Sequence, residues 1–224
     1  MKPKYNMTQE ENIFLAKRNI VDYIWKSANL EGIGVTYPDT QAIYNGMAVS
    51  GYTIDEINAI NDLKYAWQFL LGHINDKLDL EFIEKVHMLL GKFTIINAGN
   101  LRREEVRIGG TEWIPEIPDK EKVNYEILRI YNSQVIPLSK ALDLALYLMR
   151  AQLFYDGNKR LAMLIGNKIM ISEGQGIISV KQKDIKEFYK LLIEFYETNN
   201  ASAIKQFLYN NCIDGMNLEN IRSH

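Results

Sequence analysis

The sequence holds one cysteine, Cys212, among 224 residues. That excludes an intrachain disulfide and any cysteine-rich zinc site, and a lone thiol suits a reducing compartment. Proline is scarce and confined to the first two thirds. There are five, at positions 3, 38, 115, 118 and 137, so none breaks a helix beyond Pro137. Histidine is scarcer: His73, His87 and His224. An excess of positive charge is also missing. Lys plus Arg is 26 against 28 for Asp plus Glu, a net charge of −2. This balance argues against a protein that coats nucleic acid, while leaving room for a small basic pocket. The most apolar stretch, Leu142 to Phe154, is interrupted by Asp143 and Arg150 and is too short to span a bilayer. Residues Met1 to Asn12 contain no apolar core of signal-peptide length, so a cytoplasmic location without membrane attachment is expected.

What is present is the balance of a globular chain. At 47% hydrophobic and 24% charged residues, wholesale disorder is excluded. The length fits one domain, or one domain with an appendage. Thr8 with Glu11 and Thr53 with Glu56 form capping-box patterns. After Thr53, apolar residues at Ile54, Ile57, Ile60, Leu63, Trp67 and Leu70 fall on one helical stripe. The pattern predicts helices over residues 9–30, 54–73, 80–91, 121–133, 139–153, 159–173, 181–197 and 200–211. Those at 139–153 and 159–173 are apolar on nearly all sides and should form the centre of the fold. One segment departs from helical pattern. In residues 106–115, VRIGGTEWIP, two β-prone runs flank Gly109-Gly110. A Gly-Gly pair can take the positive φ angles of a two-residue hairpin turn. The expected fold class is all-α, with one small β-hairpin.

Between the two central helices lies Phe154-Tyr155-Asp156-Gly157-Asn158-Lys159-Arg160. The second helix starts near Lys159, so its first N–H groups carry partial positive charge into the loop, a ready anion site. Gly157 permits close approach to the backbone, Asn158 has an amide to donate, and Lys159 and Arg160 add full charge. Asp156 is the single acid, and a carboxylate beside phosphates is the usual way to hold Mg²⁺. Asp-Gly and Gly-Asn are also ordinary turn residues, and on this heptapeptide alone the two readings weigh the same.

This loop resembles the signature of the Fic (Fido) family, HxFx(D/E)GN(G/K)R. Two further segments agree in order. Ser27-Ala28-Asn29-Leu30-Glu31-Gly32 is similar to the family's inhibitory-helix motif, (S/T)xxxE(G/N). Gly99 to Pro115, with Arg102, resembles the stretch leading into its target-docking flap. The resemblance implies a mainly helical bundle that moves AMP from ATP to a Ser, Thr or Tyr hydroxyl of a protein. It implies ATP and Mg²⁺ as cofactors, with Asp156 on the metal. Phe154, Gly157, Asn158, Lys159 and Arg160 would serve the nucleotide, and Ser27, Glu31 and Gly32 would inhibit. A protein target would dock on the flap at Arg107, Ile108, Gly109, Gly110, Thr111 and Trp113. The implied division is N-terminal helices over 1–70, a core over 71–212 with flap 99–118 and motif loop 152–160, and a tail over 213–224. Nucleic acid is not an expected partner, and homo-oligomerisation is left open.

Two positions depart from the family pattern. The histidine that would take the target's proton is Gln152, and a primary amide accepts no proton near pH 7. Loss of a positioned base costs about 10²–10⁴-fold in rate. The second arginine of the motif is Met163. If the inhibitory glutamate's usual partner is missing, Glu31 must turn to Lys159 or Arg160. The expectation is an ATP–Mg²⁺ binding protein with impaired or altered transfer. The rivals are an active adenylyltransferase, a Doc-like phosphotransferase, and a non-catalytic interaction module. His87, between apolar neighbours, reads as a packed residue, and Cys212 as inert.

Overall fold

Both capping boxes form. Thr8 accepts from the Glu11 N–H at 3.2 Å while the Glu11 carboxylate takes the Thr8 N–H at 2.7 Å. Thr53 and Glu56 repeat the exchange at 3.2 and 2.8 Å. They open α1 (Gln9–Arg18) and α4 (Ile54–Gly72). The computed structural model describes residues 1–217. The other helices are α2 (Ile20–Leu30), α3 (Tyr37–Tyr44), α5 (Leu80–Leu90), α6 (Lys120–Tyr131), α7 (Pro137–Ala151), α8 (Asn158–Ser172), α9 (Ile185–Thr198) and α10 (Ser202–Asn211). The helix expected over 9–30 divides at Asn19, which leaves helical geometry at φ −109° and ψ 16°; asparagine competes with the backbone for hydrogen bonds and favours caps. The pattern missed α3. It is eight residues long, capped by Thr36, with Pro38 in its first turn, where a missing N–H costs nothing.

The fold is mainly helical with one small antiparallel pair of strands. The pair is not where the hairpin was expected. It joins β1 (Ile177–Ile178) to β2 (Ile213–Asp214), with Ile177 opposite Asp214. The segment 106–115 turns at Gly109-Gly110, but its arms carry no strand ladder. The reason is the hand of the turn. Only Gly110 has positive φ, +83°. This fits the second central position of a type II turn, which splays its arms where the primed turns pair them.

The two apolar helices are central, as expected. Every α8 residue from Leu161 to Ile171 is buried, and α7 buries eight of its own. α1, α4, α5 and β1 pack around α8, and α6 and α10 cover α7. One hydrophobic cluster runs from Met7 to Ile213. Among the described residues no helix is long and apolar enough to cross a membrane.

Candidate functional site

α7 and α8 are joined by the six residues 152–157, a short link between two buried helices. Left-handed residues stand at both ends: Gln152 at φ 46° and Gly157 at φ 75°. Glycine adopts this freely, whereas another residue pays about 1–2 kcal/mol. Gln152 is held there from two sides. Its carbonyl accepts from Arg102 Nε at 2.6 Å, and its side-chain Nε2 donates to the Met149 carbonyl at 2.6 Å.

Asn158, 4% exposed, closes the loop from within. Its Oδ1 accepts from the Phe154 N–H at 3.0 Å, while Nδ2 donates to the Phe154 carbonyl at 2.7 Å and to Gln152 Oε1 at 3.1 Å. Both hydrogens of the Asn158 amide are thus engaged inside the loop, while its backbone N–H stays available at the start of α8. Phe154 is likewise buried beneath the loop, stacked on the His87 ring at 3.7 Å, and props the loop without facing its mouth.

The start of α8 has no side-chain cap. Among the described residues the backbone N–H groups of Asn158, Lys159 and Arg160 have no acceptor, so they carry the positive end of the helix dipole. The Gly157 N–H is taken by Asp156 Oδ1. Lys159 and Arg160 flank this cup, and the structure brings Glu31 into it. Lys159 Nζ lies 3.2 Å from Glu31 Oε2, and Arg160 Nε lies 3.9 Å from Oε1. Burial by itself lowers the Lys159 pKa; the Glu31 carboxylate, with smaller help from Tyr189 and Asp156, outweighs it and holds the ammonium above its ordinary value. The 3.9 Å separation is too long for a hydrogen bond, and Glu31 Oε1 and Arg160 Nε are both buried without one. Two opposite polar groups thus face each other across a gap.

Local structure explains how Glu31 arrives there. Gly32 takes φ +82°, its N–H bonds to the Asn29 carbonyl, and the Ile33 N–H bonds to that of Ala28. This is a Schellman ending, and it leaves Glu31 as the C-cap of α2. A carboxylate at a helix C-terminus is disfavoured by that helix; the cations and N-terminus of α8 compensate. Tyr189 of α9 completes the junction, donating its hydroxyl to the Leu30 carbonyl with its ring 5.7 Å from Lys159 Nζ. Ser27, Leu30, Arg160 and Met163 are among the residues lining a cavity of about 20 Å³.

Asp156 points outward, its side chain 67% exposed and 3.6 Å from Arg160 Nη2. The described residues contain no group of three or more metal-ligating side chains. One exposed carboxylate beside free N–H groups fits Mg²⁺ that arrives carrying phosphate and water ligands.

Sequence reasoning gave His87 no role. It is 1% exposed on α5 and lies directly under the loop. Its Nε2 meets the Asp156 carbonyl at 2.9 Å, and the Gly99 N–H meets its Nδ1 at 2.8 Å. A carbonyl only accepts and an amide N–H only donates, so the ring is the neutral Nε2–H tautomer. Asp62, fully buried on α4, accepts from the Phe93 N–H and the Thr94 hydroxyl and fixes the turn whose Ile95 covers Gly157. No spacing in the sequence links positions 62, 87 and 156. His73 bonds to the Phe69 carbonyl and lies beside Lys168, ten residues along α8 from Asn158. His224 falls outside the described residues, as does the tail from position 218. Among the described residues no imidazole stands in for Gln152.

Arg102 ties the flap segment to this loop. Its guanidinium, 1% exposed, has no carboxylate partner and donates to the carbonyls of Gln152, Glu104, Pro115 and Glu116. The flap tip rests on α9, where Glu197 accepts from the Thr111 hydroxyl and, at 2.7 Å, from the Glu112 N–H. Trp113 packs under the Arg150 guanidinium at 3.6 Å and is half-buried. Arg107 projects into solvent at 80% exposure, and Ile108 is half-buried on the core.

Residues 77–170 match the Fic/DOC family. The chain is 26% identical over 201 residues to a protein adenylyltransferase Fic of Drosophila willistoni, across 86% of this chain and 39% of the relative. It therefore spans about two fifths of that relative's length. Among solved structures, Fic-1 (residues 134–508) from C. elegans superimposes with a TM-score of 0.74 at 22% identity, covering 87% of this chain and 60% of the other. The BepC protein of Bartonella tribocorum, solved with bound AMPPNP, superimposes with a TM-score of 0.52 at 16% identity, over 77% and 86% of the two chains.

Proposed function

Because the chain carries a Fic/DOC family domain homologous to Fic adenylyltransferases, we propose that it binds ATP with Mg²⁺ at Phe154–Arg160. On this reading the family's AMP transfer to a protein hydroxyl is impaired or altered. The observation that carries this reading is the uncapped start of α8. Three free N–H groups, Lys159 and Arg160 converge there, and the chain's own Glu31 fills the cup as an internal anion. The orphaned Glu31 Oε1 and Arg160 Nε mark a pocket whose polar groups lack a partner of the right reach.

The residues divide the work as follows. The N–H groups of Asn158 to Arg160 and the two cations bind phosphate oxygens. Asp156 would hold Mg²⁺, which would supply charge neutralisation for the phosphates, and a carboxylate so engaged would leave the Gly157 N–H uncovered. Glu31 competes for the same cations and holds the pocket shut. Gln152 accepts no proton; its amide is bonded to Met149 and Asn158 and holds the loop's shape. Catalysis then rests on positioning and charge, without the contribution of about 10²–10⁴-fold that a base adds. That internal bonding favours, as a second reading, nucleotide binding without transfer. The flap offers its backbone to a protein target, by strand addition once it lifts from α9. Residues 1–70 act as the regulatory part and 71–212 as the core, in a cytoplasmic protein.

Calorimetry of ATP–Mg²⁺ against wild type and Glu31→Gly tests the pocket. Both should bind, the variant about tenfold more tightly or better, because one buried charge pair no longer has to be broken. Absence of binding by both would sink the reading.

A further inference from the structure

We infer that His87 is a positioning residue of the nucleotide pocket, whose Nε2–H locks the Asp156–Gly157 peptide with its N–H turned toward the bound phosphates. The inference rests on the ATP–Mg²⁺ reading above and adds a residue from outside the motif.

All peptide bonds of the described residues are trans, so C=O and N–H of one unit point in opposite directions. The Asp156 carbonyl points down to His87 Nε2 at 2.9 Å. The Gly157 N–H of the same unit must then point up and out, where the Asp156 carboxylate now meets it. This is the N–H that Asp156 uncovers when it turns to the metal.

This unit is prone to flip, because it ends on the one glycine of residues 152–157. Glycine tolerates both signs of φ, so Gly157 offers little resistance to rotating the unit and burying its N–H. A Cβ at Gly157 would come within 2.9 Å of Ile95 Cδ1 and 3.4 Å of His87 Nε2. Ile95 Cδ1 is the movable end of a side chain, so glycine is favoured here mainly by its φ of +75°, and its freedom has to be restrained by a contact. His87 is that contact. Its own orientation is fixed twice, by the Gly99 N–H on Nδ1 and by the face-to-face stack on Phe154 with planes 10° apart. A ring needed only to fill space would not require a donor aimed at this carbonyl. Nor would it need an acceptor opposite to select that donor's tautomer.

The test uses His87→Phe, which keeps the stack and removes both hydrogen bonds, and His87→Gln, which keeps an N–H for the Asp156 carbonyl. Each is made in wild type and in Glu31→Gly. With both variants folded by circular dichroism, the Kd for ATP–Mg²⁺ should rise about tenfold in His87→Phe and stay within about threefold in His87→Gln. Equal affinity of His87→Phe and its parent overturns the inference, and so does equal weakening by both variants. Two measurements need no nucleotide and separate this claim from the pocket reading. Long-range ¹H–¹⁵N spectra of the unaltered protein should show a neutral ring protonated at Nε2; a proton on Nδ1 overturns the inference. The Gly157 amide resonance should broaden or double in His87→Phe as the peptide flips; an unchanged resonance overturns it too. If no form of the protein binds ATP–Mg²⁺ while both spectroscopic results hold, the peptide lock stands as a fact of the loop, and the inference that it serves a nucleotide falls with the pocket.

Discussion

Single groups in this site are controlled by what surrounds them more than by their own chemistry. Burial lowers the His87 pKa to about 4, with the Arg160 charge adding to the shift and Asp156 opposing it. The unfolded imidazole titrates near 6.5 and takes up a proton that the folded one refuses. The contribution to stability is complete above pH 6.5 and is lost as pH falls toward 4, about 3 kcal/mol in all. Urea unfolding followed through this window should give a steep loss for wild type and a shallower one for His87→Phe. Parallel curves would mean the ring is not buried neutral. Gln152 gives a second prediction. Gln152→His together with Glu31→Gly should raise label transfer from ATP onto protein by about 10²-fold or more, the scale of a restored base. If the double variant binds ATP–Mg²⁺ and transfers nothing, the missing charge at Met163 limits the reaction, and Met163→Arg added to the pair should release it.

Elements act here through their ends. α2 stops at a Schellman turn that places a carboxylate, α7 stops at a left-handed glutamine, and α8 starts without a cap; the pocket is where these three termini meet. The flap is held the same way, at its base by Arg102 and at its tip by Glu197 on α9. The bonds from Thr111 and Glu112 hold the Glu197 carboxyl below its ordinary pKa, so the latch stays ionised at neutral pH. Glu197→Ala should speed hydrogen exchange of residues 104–116 several-fold while leaving the helices unchanged. Exchange that does not respond would show that Arg102 and Trp113 suffice to hold the segment. Heptapeptide 154–160 was readable as a candidate site because its charges and glycine are contiguous. The pairing state of 106–115 was not, because it depends on which of two adjacent glycines takes positive φ.

Across the whole molecule, the N-terminal helices and the C-terminal strand close on one another. Asn12, fully buried, exchanges hydrogen bonds with Gly176, donating to its carbonyl at 3.3 Å and accepting from its N–H at 2.7 Å. Tyr23 donates to Asp214 at 2.7 Å, and the Met7 N–H bonds to the Gly174 carbonyl. Asn12→Ala strands both backbone groups of Gly176 and should cost about 2–3 kcal/mol. For a chain of this size that lowers Tm by about 5–10 °C. Calorimetry should still show one transition, since the apolar cluster runs unbroken from Met7 to Ile213. Separate early melting of α1–α3 would contradict a shared core.

The sequence by itself determined the helical class and the two central helices, and it marked the loop between them and the candidate glutamate, because periodicity, caps and a contiguous motif are local properties of the chain. It also exposed the departure at Gln152, where the family pattern has histidine, since that residue is read directly. Only the tertiary structure decided that Glu31 sits on Lys159 and Arg160, that Asn158 faces inward, and that the strand pair forms at 177–178 and 213–214. It alone brought His87, Asp62 and Arg102 beneath the loop. Apart from Asn158, whose partners lie four and six residues away, these are matters of direction and distance between segments tens to more than a hundred residues apart. They are settled by which surfaces bury together, and neither composition nor spacing records that.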